Sequence, residues 1–445
     1  MPLESTIPSV SPVAWSSFMT GSNPGHHGVF GFFVPERPAP HAPPTRFRPV
    51  NARDCHGKRF WEEMNQRGIS TGIVGVPVTY PVSAVDGHMV AGLLSPKLSA
   101  AGATYPADLA AAINAEVGPY RITPRGLYVP GNEESFAAEL HTCLELRARL
   151  AEYLLDRHRC AVHIFVLYET DVAQHKFWQF MDSSHPRYQP DQGRRWGHII
   201  RDVYAHADAI VGELIEQLGP GDDLVVMSDH GAGPLHGTVH LNKWLREEGY
   251  LYCNPGLHQC LMRLAAQSRI VQTCARIASR LRLGRYLHLT HALQRLLASG
   301  FLHSSNINWS RTSAYNLGFQ GAVYTVGESY QQIGQEIAAH LLALRDPATG
   351  QRVIESVHHA DQLYTGPHLA YAPILLLESV GGLYSASQKA YAPCLMSLGI
   401  DSGAHRRTGI FGMLGKGVKL VPTKQSLHIE TIARLLVRIA CNQLA

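Results

Sequence analysis

The chain is poor in charge. Charged side chains make up 17% of its 445 residues, against about 25% in an ordinary globular protein, while 45% are hydrophobic. Disorder driven by low hydropathy and high charge is excluded, and a chain of this length buries most of its apolar surface without staples. Neither sign of charge dominates: 39 Lys and Arg stand against 35 Asp and Glu, so no nucleic acid polymer is expected as a partner. The eight cysteines, at 55, 143, 160, 253, 260, 274, 394 and 441, include no C-x-x-C pair. That spacing argues against a thiolate zinc site or a disulfide framework and fits free thiols in a reducing compartment. No apolar run reaches the roughly 18 residues of a membrane-spanning helix, and the opening MPLESTIPSVSPVAW lacks the basic leader and apolar core of a secretory signal. A cytoplasmic location is the default expectation.

Acidic residues are absent from Tyr250 to Arg311, where Arg263, Arg269, Arg276, Arg280, Arg282, Arg285 and Arg295 recur among Leu, Ile and Ala. Apolar residues at helical spacing make this a basic helical insertion, either a cap over an anionic substrate or a solvated or partner-facing hairpin. It divides the chain into a first core segment at 1–250, the insertion at 251–307 and a second core segment at 308–445. No internal repeat is visible.

What is present is the alternation of an α/β chain. After an extended lead-in comes a helix-like run from Trp15 to Thr20. The apolar stretches Ile69 to Val76, Ala161 to Tyr168 and Asp223 to Ser228 read as buried strands, the last two covered on both sheet faces. Glu134 to Arg157 and Ile199 to Leu218 read as amphipathic helices, and a further strand is expected at Tyr371 to Leu377. Strand, long helix and strand in this order imply parallel crossovers, with ligands gathering beyond the carboxyl ends of the strands.

Two of those carboxyl ends carry metal-ligating residues among the 25 histidines of the chain. Asp171 and His175, four apart after the strand at 161–168, share one face if the segment is helical. Asp229 and His230 stand at the tip of the next strand, on a turn that Gly231 permits. A loop at Ser402 to Arg407 offers His405. Carboxylate oxygen with imidazole nitrogen suits zinc, and also manganese or iron. Two cations about 4 Å apart can hold both attacking and non-bridging oxygens of a phosphoryl group. A nucleophile for such a site could come from Ser11, Ser16, Ser17 or Thr20 in the opening loop-helix unit, and composition does not choose among them.

Several ordered motifs go further: STIPSVSPVAWSSFMTGSNPGHHGVFGF at 5–32, VPVTYP at 76–81, ETDVAQHKFW at 169–178, VVMSDHGAGP at 225–234, LNKWLREEGYL at 241–251, NWSRTSAY at 308–315 and SGAHRRTGIF at 402–411. Together they resemble the alkaline phosphatase superfamily, in its type I phosphodiesterase and nucleotide pyrophosphatase branch. The resemblance implies an α/β three-layer sandwich with a central, mostly parallel sheet. It implies a phosphoric ester hydrolase acting on a small phosphorylated molecule or nucleotide. Two divalent ions are implied, zinc or sometimes manganese. The nucleophile of that family lies nine residues before the Thr-Gly of the first motif, which places it on Ser11 and implies a covalent intermediate there. Asp171, His175 and His405 would hold one ion; Asp229 and His230 would hold the other, shared with the nucleophile. Gly25 to Gly28 match a signature turn whose implied part is structural.

Two departures stand out. Members begin with a buried strand ending in Asp-Gly, whose Asp is a ligand of the metal beside the nucleophile. Nothing before Ser11 takes that place in this sequence, so the first strand is expected to be missing, leaving an exposed edge or a gap in the sheet. Either the start lies further upstream, or the chain is a non-catalytic or impaired metal-binding homologue. The closing IETIARLLVRIACNQLA also lacks the Asp and Pro of the family's last motif. Sulfatase chemistry is disfavoured because SPVAW lacks the Arg of the formylglycine signature.

Overall fold

The computed structural model describes residues 1–254, 303–422 and 426–442, so residues 255–302 of the basic insertion lie outside the described residues. Pro2–Glu4 (β1) is a strand rather than a mere extended lead-in. The first helix, Ser11–Thr20 (α1), starts four residues before Trp15 because Pro12 is preset for a first helical turn and has no N–H to lose there. It ends on Gly21 in the left-handed conformation, with φ 62° and ψ 31°. Nine of its ten residues are buried, as befits a helix enclosed between a sheet and another helix. The short turn Pro24–His27 (α2) follows, opened by the Asn23 side chain, which accepts from the Gly25 N–H.

One sheet comprises Thr71–Val74 (β2), Gly87–Val90 (β3), Thr104–Tyr105 (β4) and Val162–Phe165 (β5), in the order β4-β3-β2-β5. β2 runs parallel to both β3 and β5. The two-residue period of these strands separates two cores. Ile73, Met89, Val162 and Ile164 pack on the α1 side. Val74, Val90 and Phe165 pack against Leu146, Leu150 and Leu154 of the long helix Glu133–Arg157 (α3). Directly after β5 comes Glu169–Met181 (α4), then Ile199–Glu216 (α5), Leu224–Met227 (β6) and Gly231–Pro234 (β7). The second core segment adds Gly403–Arg406 (β8), Thr408–Leu414 (β9), Leu427–His428 (β10) and Ile429–Asn442 (α6), which packs on α1. A separate antiparallel sheet of Ala314–Asn316, Ala322–Thr325, Leu375–Ser379 and Ile354–His359 has its own core. Its strand begins at Leu375, not Tyr371, because Pro373 cannot donate to a ladder and Leu369–Tyr371 closes into a 3-10 turn.

The second sheet runs β10-β1-β9-β6. β5 and β6 are therefore each hydrogen-bonded on one side only among the described residues. Both line one cavity of about 560 Å³ that reaches Ser11, Asp171 and Asp229. This corrects the expectation of two buried strands: β5 is only partly buried, and Val226 in β6 is 37% exposed. The described residues contain no helix long and apolar enough to cross a membrane.

Two buried polar contacts fix the parts that carry function. At the head of α4, Arg147 Nε donates to Glu169 Oε2 at 2.7 Å, Nη1 to the Tyr120 hydroxyl at 2.6 Å and Nη2 to the Ile122 carbonyl at 3.1 Å. Below α1, His27 Nδ1 accepts from the Val29 N–H at 3.1 Å, so Nε2 bears the proton that it shares with Ser17 Oγ at 3.0 Å. Burial, then the neighbouring His368, His26 and His56, pull the His27 pKa down to about 3.

Each contact generates an expected outcome. Arg147→Met leaves the Glu169 carboxylate buried without its cation and should cost about 3–5 kcal/mol in urea unfolding; adding Glu169→Gln should return part of that loss. His27 is neutral in the folded chain while its unfolded counterpart protonates below about pH 6.5, so the unfolded state binds more protons between about 6.5 and 3. Stability should fall as pH is lowered through that window, by up to about 1.4 kcal/mol per pH unit from this group. His27→Gln should show a shallower slope; equal slopes for the two chains would contradict the account.

Candidate metal centre

The carboxyl ends of β5 and β6 converge as the strand order requires. α4 sets Asp171 and His175 one turn apart, with His175 Nε2 at 3.5 Å from Asp171 Oδ1. His405 is not on a loop, as expected, but on β8, which pairs antiparallel with β7 and sets His405 opposite Ala232, two residues beyond His230. The pairing explains the difference, since a ladder fixes what a loop would leave loose. Close approach also requires glycine here: a Cβ on Gly403 would sit 2.2 Å from the Gln174 carbonyl oxygen of α4, and one on Gly231 would sit 2.1 Å from the Thr408 carbonyl oxygen.

Asp171 Oδ1 is 3.4 Å from His405 Nε2 and 4.0 Å from His230 Nε2. His230 Nε2 is in turn 3.3 Å from Asp229 Oδ2 and 3.3 Å from Ser11 Oγ, and the His230 ring stacks on His405 with centroids 3.6 Å apart. All six residues singled out in the sequence thus meet at one place. Of the four hydroxyls in the opening unit, only Ser11 belongs there. Ser17 is committed to His27, Thr20 donates to the Ser16 carbonyl at 2.7 Å, and Ser16 is fully buried within the core.

The imidazoles share a tautomer. His175 Nδ1 lies 2.9 Å from the Gly403 carbonyl, His405 Nδ1 2.8 Å from that of Ser9, and His230 Nδ1 3.1 Å from that of Gly231. A carbonyl only accepts, so each Nδ1 carries the hydrogen and each neutral ring presents a lone pair at Nε2. His175 Nε2 and His405 Nε2 are only 2.8 Å apart. Two facing lone pairs repel unless a proton or a cation sits with them. Asp171 Oδ1 and Asp229 Oδ2 are also buried without a hydrogen-bond partner, a costly state for a carboxylate.

The titration of the group follows. Burial pushes Asp171 up, but the charges of His175, His405 and His230 outweigh it and hold the carboxyl well below the usual carboxylate range. Burial lowers His175 and His230, whereas at His405 the two carboxylates overcome burial and raise it. The cluster therefore favours one added positive charge. Asp171, His175 and His405 each offer a ligand atom, all within 4.8 Å of one another, and N, N and O donors of this kind suit a divalent cation such as zinc. Asp229 Oδ2, His230 Nε2 and Ser11 Oγ form a second, adjoining donor group.

Sequence reasoning missed the carbonyls of Ser9, Gly231 and Gly403, which orient the imidazoles, because no side-chain pattern marks an acceptor on the backbone. It also missed Lys176, which is ion-paired with Asp401. Its place one residue after His175 within the third motif was the available signal.

The described architecture is similar to that of phosphonoacetate hydrolase from Sinorhizobium meliloti 1021. In its complex with phosphonoacetate the identity is 15%, with 99% of this chain and 86% of that chain covered and a TM-score of 0.55. In its complex with phosphonoformate the identity is 14%, the coverage the same and the TM-score 0.54. This likeness gives the fold, which is the alkaline-phosphatase-like α/β architecture expected from the sequence. Murine ectonucleotide pyrophosphatase / phosphodiesterase 5, at 10% identity over 99% of this chain and 86% of that chain and a TM-score of 0.49, is too distant to bear on it. No curated protein matches the chain in sequence. A family model, described as type I phosphodiesterase / nucleotide pyrophosphatase, matches residues 1–405. The chain therefore belongs to the type I phosphodiesterase / nucleotide pyrophosphatase family, a family of phosphoric ester hydrolases within the alkaline phosphatase superfamily.

Proposed function

We propose that the chain is a metal-dependent phosphoester hydrolase that works through a covalent intermediate on Ser11. The observation that carries the reading is the meeting of Nε2 lone pairs and partnerless carboxylate oxygens beside one hydroxyl at the start of a buried helix. Asp171, His175 and His405 would hold one divalent ion, zinc by donor type with manganese as the second choice, and Asp229 and His230 the other. When bound, such a pair neutralises phosphoryl charge and lowers the pKa of a coordinated hydroxyl.

The residues of the chain do the rest. Ser11 Oγ, oriented by α1, gives up its proton to solvent and attacks phosphorus; the O–P bond forms as the bond to the leaving group breaks, that group takes a proton from water, and a second water later cleaves the phosphoseryl ester. The amino end of α1 points its backbone dipole at the incoming phosphoryl oxygens. The 1–250 and 308–445 segments act as one catalytic core, because β1 and β6 from the first share a sheet with β9 and β10 from the second. The substrate class is a small phosphorylated molecule, a nucleotide or a phosphonate, as the family and the phosphonate ligands of the similar hydrolase suggest.

Three outcomes test this. Purified, metal-loaded protein should hydrolyse bis-p-nitrophenyl phosphate or p-nitrophenyl phosphate; a chelator should abolish the rate, and Ser11→Ala should lower kcat by about 10³-fold or more. Rapid quench followed by peptide mass spectrometry should find a phosphoryl adduct on the Ser11 peptide, and turnover without that adduct would refute the covalent step. Metal titration should be biphasic, because the second group offers only Asp229 and His230 besides the Ser11 hydroxyl. The tighter phase should vanish in Asp171→Asn, and the weaker one in Asp229→Asn.

A further inference from the structure

A second cavity, of about 230 Å³, shares no lining residue with the one beside the metal centre. Its polar lining is Arg37, Asp54 and two parallel imidazoles, His56 and His368, whose ring centroids are 4.2 Å apart at 10°. α2 anchors the backbone that bears both rings: the His56 backbone N–H donates to the His27 carbonyl at 2.8 Å and the His368 backbone N–H to the Gly25 carbonyl at 2.9 Å. Gly28 lets them approach, since a Cβ there would lie 3.1 Å from His56 Cδ2 and 3.3 Å from His368 Cγ, at a φ of 79°. The opposite walls are apolar and aromatic, from Phe33, Tyr324 and Tyr371.

The charges in this cavity are unbalanced. Arg37 lies over the rings of Tyr324 and Tyr371, at 5.4 and 5.7 Å, and donates from Nη2 to the Tyr371 carbonyl. Its Nε is buried without a hydrogen-bond partner, and it makes no ion pair among the described residues. The acids nearby are already answered. Asp54 takes both Arg48 amino groups, at 2.5 and 2.6 Å, and the Asn51 N–H; Glu36 accepts from Arg46 and Arg48. Burial, then His56 and His26, lower the His368 pKa, so this ring faces the cavity as a neutral imidazole, a hydrogen-bonding group that brings no charge of its own. Arg37 thus carries a cation that no acid of the described residues answers, and a guanidinium is suited to a two-oxygen anion.

We propose that this cavity binds a small organic oxyanion, a carboxylate or a phosphomonoester, whose charged head meets Arg37 and the His56–His368 stack and whose carbon body rests on Phe33, Tyr324 and Tyr371. The site is independent of the metal centre, so its test uses the full chain carrying Asp171→Asn and stripped of metal. Phenyl phosphate, benzoate, inorganic phosphate and the neutral benzamide are titrated by calorimetry and by NMR of the imidazole resonances. Phenyl phosphate or benzoate should bind one per chain and move the His56 and His368 signals, with benzamide weaker by about tenfold or more. Arg37→Gln should weaken binding by a similar factor; because it also loses the clasp on Tyr371, His56→Asn serves as a second variant and should weaken binding too. The proposal is overturned if neither organic anion binds, if both variants bind as the parent does, or if inorganic phosphate binds as tightly as phenyl phosphate.

Discussion

Three imidazole rings, each fixed by a backbone carbonyl behind it, turn their Nε2 atoms toward the same carboxylate. This arrangement is the constraint on which the rest depends. Left to themselves, two lone pairs 2.8 Å apart and two buried carboxylate oxygens without partners would drive the segments apart. They stay together because the segments that bear them are held from outside the cluster. α4 is pinned by the buried Arg147–Glu169 pair, β8 by its ladder to β7 and by the glycine contact with α4, and α1 by α6 and the His27–Ser17 contact. Stability earned in the surroundings thus maintains a locally unfavourable geometry, as a preorganised cation site requires.

How much of this could be read in advance varied with the kind of signal. Asp171 and His175 were legible because the helix period sets their spacing, and Asp229 with His230 because an apolar run ended on them. The choice of Ser11 over Ser16, Ser17 and Thr20 was not legible from composition. The four share one short helix and differ only in which way the turn faces, so it took the resemblance to name Ser11, while the fold commits Ser17 and Thr20 to other partners and buries Ser16 in the core. His405 looked like a lone loop residue since β8 is only four residues long and half of it is Gly and Ala. Its strand exists through pairing with β7, a non-local event that single-sequence propensity does not record.

The Arg37 cavity was illegible for a related reason. His56, His368 and Arg37 come from three distant stretches, and none sits in a pattern that differs from an ordinary surface. Residues 34–50, rich in Pro, Arg and His, show neither a helical nor a strand period and have the look of an irregular excursion. In the fold, part of that excursion is the hairpin Phe33–Glu36 with Arg46–Pro49, which carries Arg37 to the imidazoles held by α2. The signature turn therefore has two faces: His27 points inward to lock α1, while the carbonyls of Gly25 and His27 anchor the backbone of the two histidines of the second cavity.

The divided sheet has a consequence for the centre. β5 and β6 deliver Asp171 and Asp229, yet they are not hydrogen-bonded to each other, so the separation of the two carboxylates is not set by the spacing of a ladder. It is set by His230 and His405, which lie between them and are carried by β7 and β8. Histidine stacking and the β7–β8 pairing therefore do here what strand pairing does in an unbroken sheet. The two donor groups are also unequal. The first has its three protein donors within 4.8 Å and is braced by Arg147 at the head of α4. The second rests on the tip of β6, whose free side faces a cavity rather than a partner. The two halves of one site are therefore braced by different means, the first by a buried ion pair at the head of its helix and the second by the stack of His230 on His405.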